Sequence, residues 1–168
     1  MRKAIEAEQD DETILPPDTL VHSYADVQVS PSFLTSQEQI NFTLQPSHII
    51  KLWQIFLDHV NPLLKIIHVP STQPILIEAM TGMRRLPIDS QALIFSVFGM
   101  AVIALPNKEC AKVLGIPWES ALQHFARSAQ SAIHLFNVFQ NQTMTILQAL
   151  LLYVVSNIFR CIQGIALN

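Results

Sequence analysis

Residues 117–140, PWESALQHFARSAQSAIHLFNVFQ, carry the clearest structural pattern in the chain. Apolar residues recur there at spacings of four and three, which keeps one stripe on one side of a helix for about six turns. Pro117 suits the first position of a helix, and Glu119 lies in the turn where the helix dipole favours an anion. The pattern predicts a long amphipathic helix with one buried stripe, composed of Trp118, Leu122, Phe125, Ala129, Ala132, Phe136 and Phe139.

A second amphipathic pattern begins near Ser47, whose hydroxyl makes it the expected N-cap. Pro62 has no amide hydrogen to donate to the preceding turn, and so it is expected to end or kink this helix. LLKII follows and is expected to form no more than a short turn before Pro70. The predicted buried face of the helix consists of Ile49, Leu52, Trp53, Phe56 and Val60.

Further helices are predicted between and after these two. Thr72 is the expected cap of one that has Pro74 in its first turn and stops at Gly82. An apolar helix over residues 91–105 is expected to be capped by Asp89 or Ser90. A short helix is predicted from an Asn107 cap to Gly115.

The last helical segment, TMTILQALLLYVVSNIFR over residues 143–160, is apolar on nearly every side, which is typical of a helix enclosed by others. Thr143 or Thr145 is its expected cap. No segment shows convincing strand alternation with hairpin turns. The sequence therefore predicts an all-α bundle of about five to six helices.

Residues 1–46 differ from the rest because they are acidic and polar, contain prolines and lack a sustained helical period. We expect them to form a flexible arm, or alternatively an arm that packs loosely on the domain. The predicted organisation is thus an arm over 1–46 and a helical domain over 47–168. A chain of 168 residues suits one domain of this kind.

Charge and hydropathy exclude several kinds of partner. The net charge is −3, and the largest cluster of basic residues is the pair Arg84–Arg85, so direct binding of nucleic acid is not expected. The longest uninterrupted apolar run, LIFSVFGMAVIAL over residues 93–105, is shorter than the ~20 residues of a membrane span. The sequence therefore predicts no membrane partner.

Residues with the chemistry for catalysis or metal binding occur without a matching pattern. His59 and His68 lie on opposite sides of Pro62 and share no helix face, so both are expected to be structural helix-end histidines. Asp58 and His59 are neighbours on a helix and point in different directions. Cys110 has no base beside it and is expected to be a small buried apolar residue. We predict no catalytic residue, no cofactor site and no metal site, and hence no enzyme.

Three segments carry a resemblance: SHIIKLWQIFLDHVNPLLKIIHVPS, QALIFSVFGMAVIAL and ALQHFARSAQSAIHLFNVFQNQTMTILQALLLYVVS. In that order they resemble the fungal-specific transcription factor domain, the regulatory middle homology region of fungal zinc-cluster regulators. The most family-like features are the first helix, which ends in His68 and Pro70, and TILQALLLYVV after a helix with Ala, Arg127 and Ala spacing. The resemblance covers about residues 46–156.

The resemblance implies an all-helical regulatory module of a nuclear transcription factor, whose DNA is read by a separate N-terminal six-cysteine cluster holding two zinc ions. This sequence departs from that pattern because no cysteine precedes Cys110. It also runs from YVVS into NIFRCIQGIALN, where the family continues through more helices. We therefore expect a truncated regulatory domain without its own DNA-binding cluster, located in the nucleus and otherwise in the cytoplasm.

In this interpretation the chain acts through protein association, with a full-length zinc-cluster regulator or with itself. The resemblance suggests a metabolic or secondary-metabolite gene programme. An apolar patch left exposed on residues 144–155 would drive such association.

Two alternatives stay open. One is a non-functional fragment of a larger regulator, which an in-frame upstream C-x2-C-x6-C run in the transcript would reveal. The other is a small helical enzyme or ligand-binding module with a pocket between its helices.

Overall fold

The computed structural model describes residues 42–136 and 142–166. The chain divides into two units, Met1–Gln39 and Ile40–Asn168, and every described residue belongs to the second. Most of the predicted arm, residues 1–41, therefore lies outside the described residues. So does Phe139, the last member of the stripe predicted for the long amphipathic helix.

The described residues form six α-helices, which confirms the predicted all-α fold. A π-helical turn, Phe56–Val60, continues the first helix, and a 3-10 turn, Met83–Arg85, joins the second to the third. The α-helices are α1 Pro46–Ile55, α2 Val69–Thr81, α3 Ile88–Ile103, α4 Asn107–Leu114, α5 Trp118–Phe136 and α6 Met144–Ala166.

Helix α1 begins two residues earlier than predicted. Gln45 is its N-cap, and a capping box joins Gln45 and His48, so the expected cap at Ser47 is wrong. Pro46 explains the shift, because a proline at the first helical position needs no partner for its nitrogen. Pro62 ends the helix as predicted, after the π-helical turn. All five residues of the predicted face are buried: Ile49, Leu52, Trp53, Phe56 and Val60.

Helix α2 also begins earlier than predicted, with His68 rather than Thr72 at the N-cap. Thr72 is buried inside the first turn, where its hydroxyl donates to the His68 carbonyl over 3.1 Å. Pro74 consequently lies inside the helix and not in its first turn. Gly82 ends the helix as predicted, with a φ of 147° that side chains disfavour.

The boundaries of α3 and α4 are each shifted by a proline. Pro87 and Pro106 are the N-caps, so Asp89, Ser90 and Asn107 lie within the first turns that they were expected to cap. Both prolines have an extended ψ, 148° and 147°, as is usual for an N-cap residue, and each helix begins at the residue that follows. Gly115 closes α4 in the left-handed conformation, as predicted.

Helix α5 buries the stripe predicted for it. Leu122, Phe125, Ala129 and Ala132 are buried, and Trp118 and Phe136 are half-buried at the two ends. The Trp118 indole N–H donates to the Val102 carbonyl over 2.8 Å, which ties the start of α5 to the last turn of α3.

The central element is α3, which packs against α1, α5 and α6. Eleven of its sixteen residues are buried. The rings of Phe98 and Phe125 meet edge to face with their centroids 5.7 Å apart, and the Gly99 position also faces Phe125, so α3 and α5 are in direct contact. The helix enclosed by others is thus α3.

Helix α6 runs alongside α3 in the same direction. At one end the Thr143 hydroxyl donates to the Asp89 carboxylate over 3.0 Å. At the other end Phe159 borders a pocket with Ile103 and Ala104. Thr143 caps α6 by accepting the Ile146 amide over 3.2 Å, as predicted. Only one side of α6 is buried, and the prediction of a helix surrounded on every side is therefore wrong. The buried residues of α6 are Ile146, Ala149, Leu152 and Ser156.

Candidate functional site: an apolar pocket and the exposed face of helix α6

A pocket of about 300 Å³ lies between the π-helical turn, the C-terminal half of α3 and α6. Its walls are almost entirely apolar, and His59 is the one titratable residue among them. A cavity of this size is at the small end of ligand pockets. Its chemistry suits an apolar group. The lining residues are His59, Val60, Leu63, Leu64, Met100, Ile103, Ala104 and Phe159.

The histidines of the first helical region stay apart from one another. His59 is exposed on the π-helical turn, and the neighbouring Asp58 accepts its hydrogen bond from Gln54 over 2.9 Å rather than from His59. His68 is exposed at the start of α2, where its Nδ1 lies 2.8 Å from the Ser71 hydroxyl. Both are helix-end residues, as predicted.

A different pair of histidines is brought together, by a residue in front of α1. The ring of Phe42 stacks on His48 at a centroid distance of 5.7 Å and meets His124 edge to face at 5.5 Å. Burial lowers the pKa of both imidazoles, and the nearby Lys51 charge adds to the effect at His48. Spacing within the sequence could not reveal this cluster, because its members come from three segments.

Cys110 is fully buried, which confirms its expected role as a small apolar residue. Burial raises the pKa of its thiol, and the Glu119 charge adds to the effect. A thiol held protonated in this way is a poor nucleophile. Within the part of the chain that the structure describes, no three His, Cys, Asp or Glu residues lie close enough to hold a metal ion. The absence of catalytic and metal sites remains a prediction.

The most unusual surface lies on α6. Six side chains recur there at alternating spacings of three and four and are all exposed, and we call them the α6 stripe. The stripe consists of Met144, Leu147, Leu151, Val154, Ile158 and Cys161. Phe159 and Ile162 border it and are also exposed. The apolar patch predicted on residues 144–155 is therefore present and continues to residue 162.

The spacing of the stripe is that of the a and d positions of a coiled-coil heptad, with Met144, Leu151 and Ile158 at a. The flanking positions that usually carry charges are uncharged here, for example Gln148 and Asn157. Gln148 is instead held against the domain, since its amide donates to the Ile66 carbonyl over 3.0 Å. The stripe therefore faces away from α3 with an apolar, uncharged surface.

One helical stretch, Met144–Ile162, is long and apolar enough by length and composition to cross a membrane. Polar residues such as Gln148 and Asn157 interrupt this stretch, so it is not an uninterrupted apolar run. The face with Ile146, Ala149 and Leu152 packs on the protein core.

The chain is similar in sequence to fungal transcription regulators. The chain is 43% identical over 115 residues to the Pyriculol/pyriculariol biosynthesis cluster transcription factor 1 of Pyricularia oryzae, a match that covers 67% of this chain and 15% of that protein. It is 31% identical over 137 residues to the transcriptional regulator nsrM of Aspergillus novofumigatus, a match that covers 79% of this chain and 19% of that protein. It is 30% identical over 109 residues to the Aurofusarin cluster transcription factor aurR2 of Gibberella zeae, a match that covers 65% of this chain and 16% of that protein.

No protein-family model matches the chain, and no solved structure matches it. The chain spans less than a fifth of the length of each of these relatives. It is homologous to a segment of fungal transcription regulators, which confirms the resemblance predicted from its sequence and relates the chain to transcription regulation.

Proposed function

We propose that the chain is a helical regulatory module of a fungal transcription regulator and acts by binding protein rather than DNA. The observation that carries this proposal is the α6 stripe, an exposed apolar surface on a chain homologous to such regulators. Large exposed apolar patches mark interaction surfaces. The net charge of −3 offers no attraction for a phosphate backbone. In this proposal the chain is not an enzyme.

The relatives suggest where the module acts. Two of them are named as cluster transcription factors, one of them of a biosynthesis cluster. These names support our proposal that the chain acts in the nucleus, in a secondary-metabolite gene programme. The two cysteines of the sequence cannot form a six-cysteine zinc cluster. Contact with DNA would therefore come from the protein to which the module binds or belongs.

The test is to express the tagged chain in a filamentous fungus and to measure its location and the transcripts of the biosynthetic clusters. We expect nuclear protein and a changed transcript level for at least one cluster. Ile158→Glu, in the α6 stripe, should abolish the change, whereas Ile50→Glu, equally exposed on α1, should retain it. A cytoplasmic protein without any transcript response would contradict the proposal and favour the non-functional fragment.

The pocket beside α6 favours a second candidate, a module that binds a small apolar effector. Octanol can serve as a probe of suitable size and polarity. We expect it to raise the melting temperature of the wild type and not that of Ala104→Leu, because Ala104 lines the pocket and a larger side chain there leaves less room. Equal behaviour of the two proteins would argue against a ligand in this pocket.

A further inference from the structure

We infer that the α6 stripe is a self-association surface, on which a second copy of this chain pairs helix to helix as a symmetric dimer. This inference names the partner of the surface on which the proposed function rests. It follows from the spacing, the charge and the area of the stripe.

The spacing indicates a helical occupant. Met144, Leu147, Leu151, Val154 and Ile158 alternate between steps of three and four residues, and Cys161 adds one more step of three. Such a seam packs well against another helix with the same repeat, because each side chain fits a hole between four residues of the partner. A helix with the same repeat is supplied by a second copy, and a self-complementary patch closes a two-fold dimer.

The near absence of charged residues on α6 allows a second copy to bind and offers nothing to a partner that is selected by charge. Coiled coils choose partners mainly through charged residues beside the seam. In α6 the one charged residue of the described part is Arg160, which lies off the stripe and donates to Asn157 over 3.4 Å. Two copies thus meet without like-charge repulsion across the seam, and no charge pattern excludes them.

The area of the stripe is sufficient for a dimer that dissociates reversibly. About half or more of the surface of each apolar residue is exposed, for example 49% for Leu151 and 53% for Ile158. The stripe with Ile162 therefore offers on the order of 600 Å² per chain, near the ~800 Å² per partner of standard interfaces. The seam spans fewer than three heptads, so the dimer should depend on protein concentration.

Sedimentation velocity of the purified full chain tests the inference. Over about 1 to 100 µM, where an interface of this size dissociates, we expect the wild type to move from monomer to dimer. Ile158→Glu should weaken the dimer at least tenfold, because it places a carboxylate in the seam. The matched control is Ile50→Glu, with 54% exposure against 53% for Ile158, and it should dimerise like the wild type. Circular dichroism checks that both variants are folded.

A charge-pairing experiment adds a readout that does not depend on loss of function. Leu151 lies near the middle of the stripe, so in a symmetric dimer it lies beside its own copy. We expect Leu151→Glu and Leu151→Lys each to be monomeric and their equimolar mixture to form a dimer. Failure of the mixture to dimerise while the wild type does would show a different contact surface and overturn the inference.

Other results would also overturn it. They are a wild type that stays monomeric at the highest concentration, an equal loss of dimer in both isoleucine variants, and open-ended oligomers. A monomer that binds neutral phosphatidylcholine vesicles through Ile158 would assign the stripe to a lipid surface instead. A monomeric wild type with a nuclear transcript response would remove the self-association alone and leave the proposed function standing.

Discussion

The Asp89 carboxylate accepts a hydrogen bond from the Thr143 hydroxyl over 3.0 Å, and this contact joins residues 54 positions apart in the chain. Asp89 lies in the first turn of α3, and Thr143 caps α6. The other oxygen of Asp89 accepts the Ser90 amide over 2.7 Å. One carboxylate thus aligns the starts of the central helix and of the helix that carries the exposed stripe.

Thr143→Ala should lower the free energy of unfolding by about 1 kcal/mol, because it removes both the α6 cap and the contact with Asp89. Asp89→Ala should cost a similar amount, and the double variant should cost less than the sum. Urea unfolding of the four proteins measures this. Strict additivity would mean that the two side chains contribute independently. Asp58→Ala, whose hydrogen bond to Gln54 is exposed and local, serves as the control with little expected loss.

Ser96→Ala should stabilise the protein by about 1 kcal/mol. The Ser96 hydroxyl is buried in α3, and among the described residues it has no hydrogen-bond partner. The matched control is Ser156→Ala, which is also buried in a helix but donates to the Tyr153 carbonyl over 2.7 Å. Both substitutions replace serine by alanine in a helix and gain the same helix propensity. The difference between their free energies of unfolding therefore reports the cost of the unpaired Ser96 hydroxyl. Thermal unfolding that ranks the two variants equally would contradict the prediction.

Acidification should destabilise the fold through His48 and His124. Burial lowers the pKa of each imidazole, so the unfolded chain takes up protons at a higher pH than the folded one. Stability is therefore unaffected well above 6.5, the ordinary pKa, and declines as pH falls through that value. Unfolding in urea at pH 7.5 and at pH 5.5 measures the loss.

His124→Gln should reduce this pH dependence because it removes one of the two half-buried imidazoles that the Phe42 ring contacts. The control is His134→Gln, an exposed position on the same helix, which should keep the wild-type difference between the two pH values. If the free energy of unfolding of His124→Gln falls between pH 7.5 and pH 5.5 as much as that of the wild type, the acid destabilisation arises from other groups.

The double variant His59→Gln, His68→Gln should change the free energy of unfolding by no more than about 0.5 kcal/mol, because both side chains are exposed at helix ends. It should also leave the transcript response of the proposed function unchanged. Elemental analysis of the purified wild type and variant gives the second readout. A stoichiometric metal lost in the variant would show that these histidines are ligands.

Helix existence and buried stripes were predictable because periodicity is a local property. The predicted faces of α1 and α5 are the buried ones, because residues such as Phe56 and Phe125 recur at helical spacing. Helix starts were predicted less well. Ser47, Thr72 and Asp89 are good caps by residue type, but a proline or a neighbouring residue started each helix earlier.

The amino-acid sequence alone determined that this protein is helical and which sides of its amphipathic helices are buried, since the spacing of apolar and polar residues decides both. Only the tertiary structure decided that α3 is central, that one side of α6 packs on it, and that Phe42, His48 and His124 meet. The physical reason is that α3 and α6 are both apolar on nearly every side. Periodicity cannot choose a face on such a helix, and the choice is made by the neighbours against which it packs.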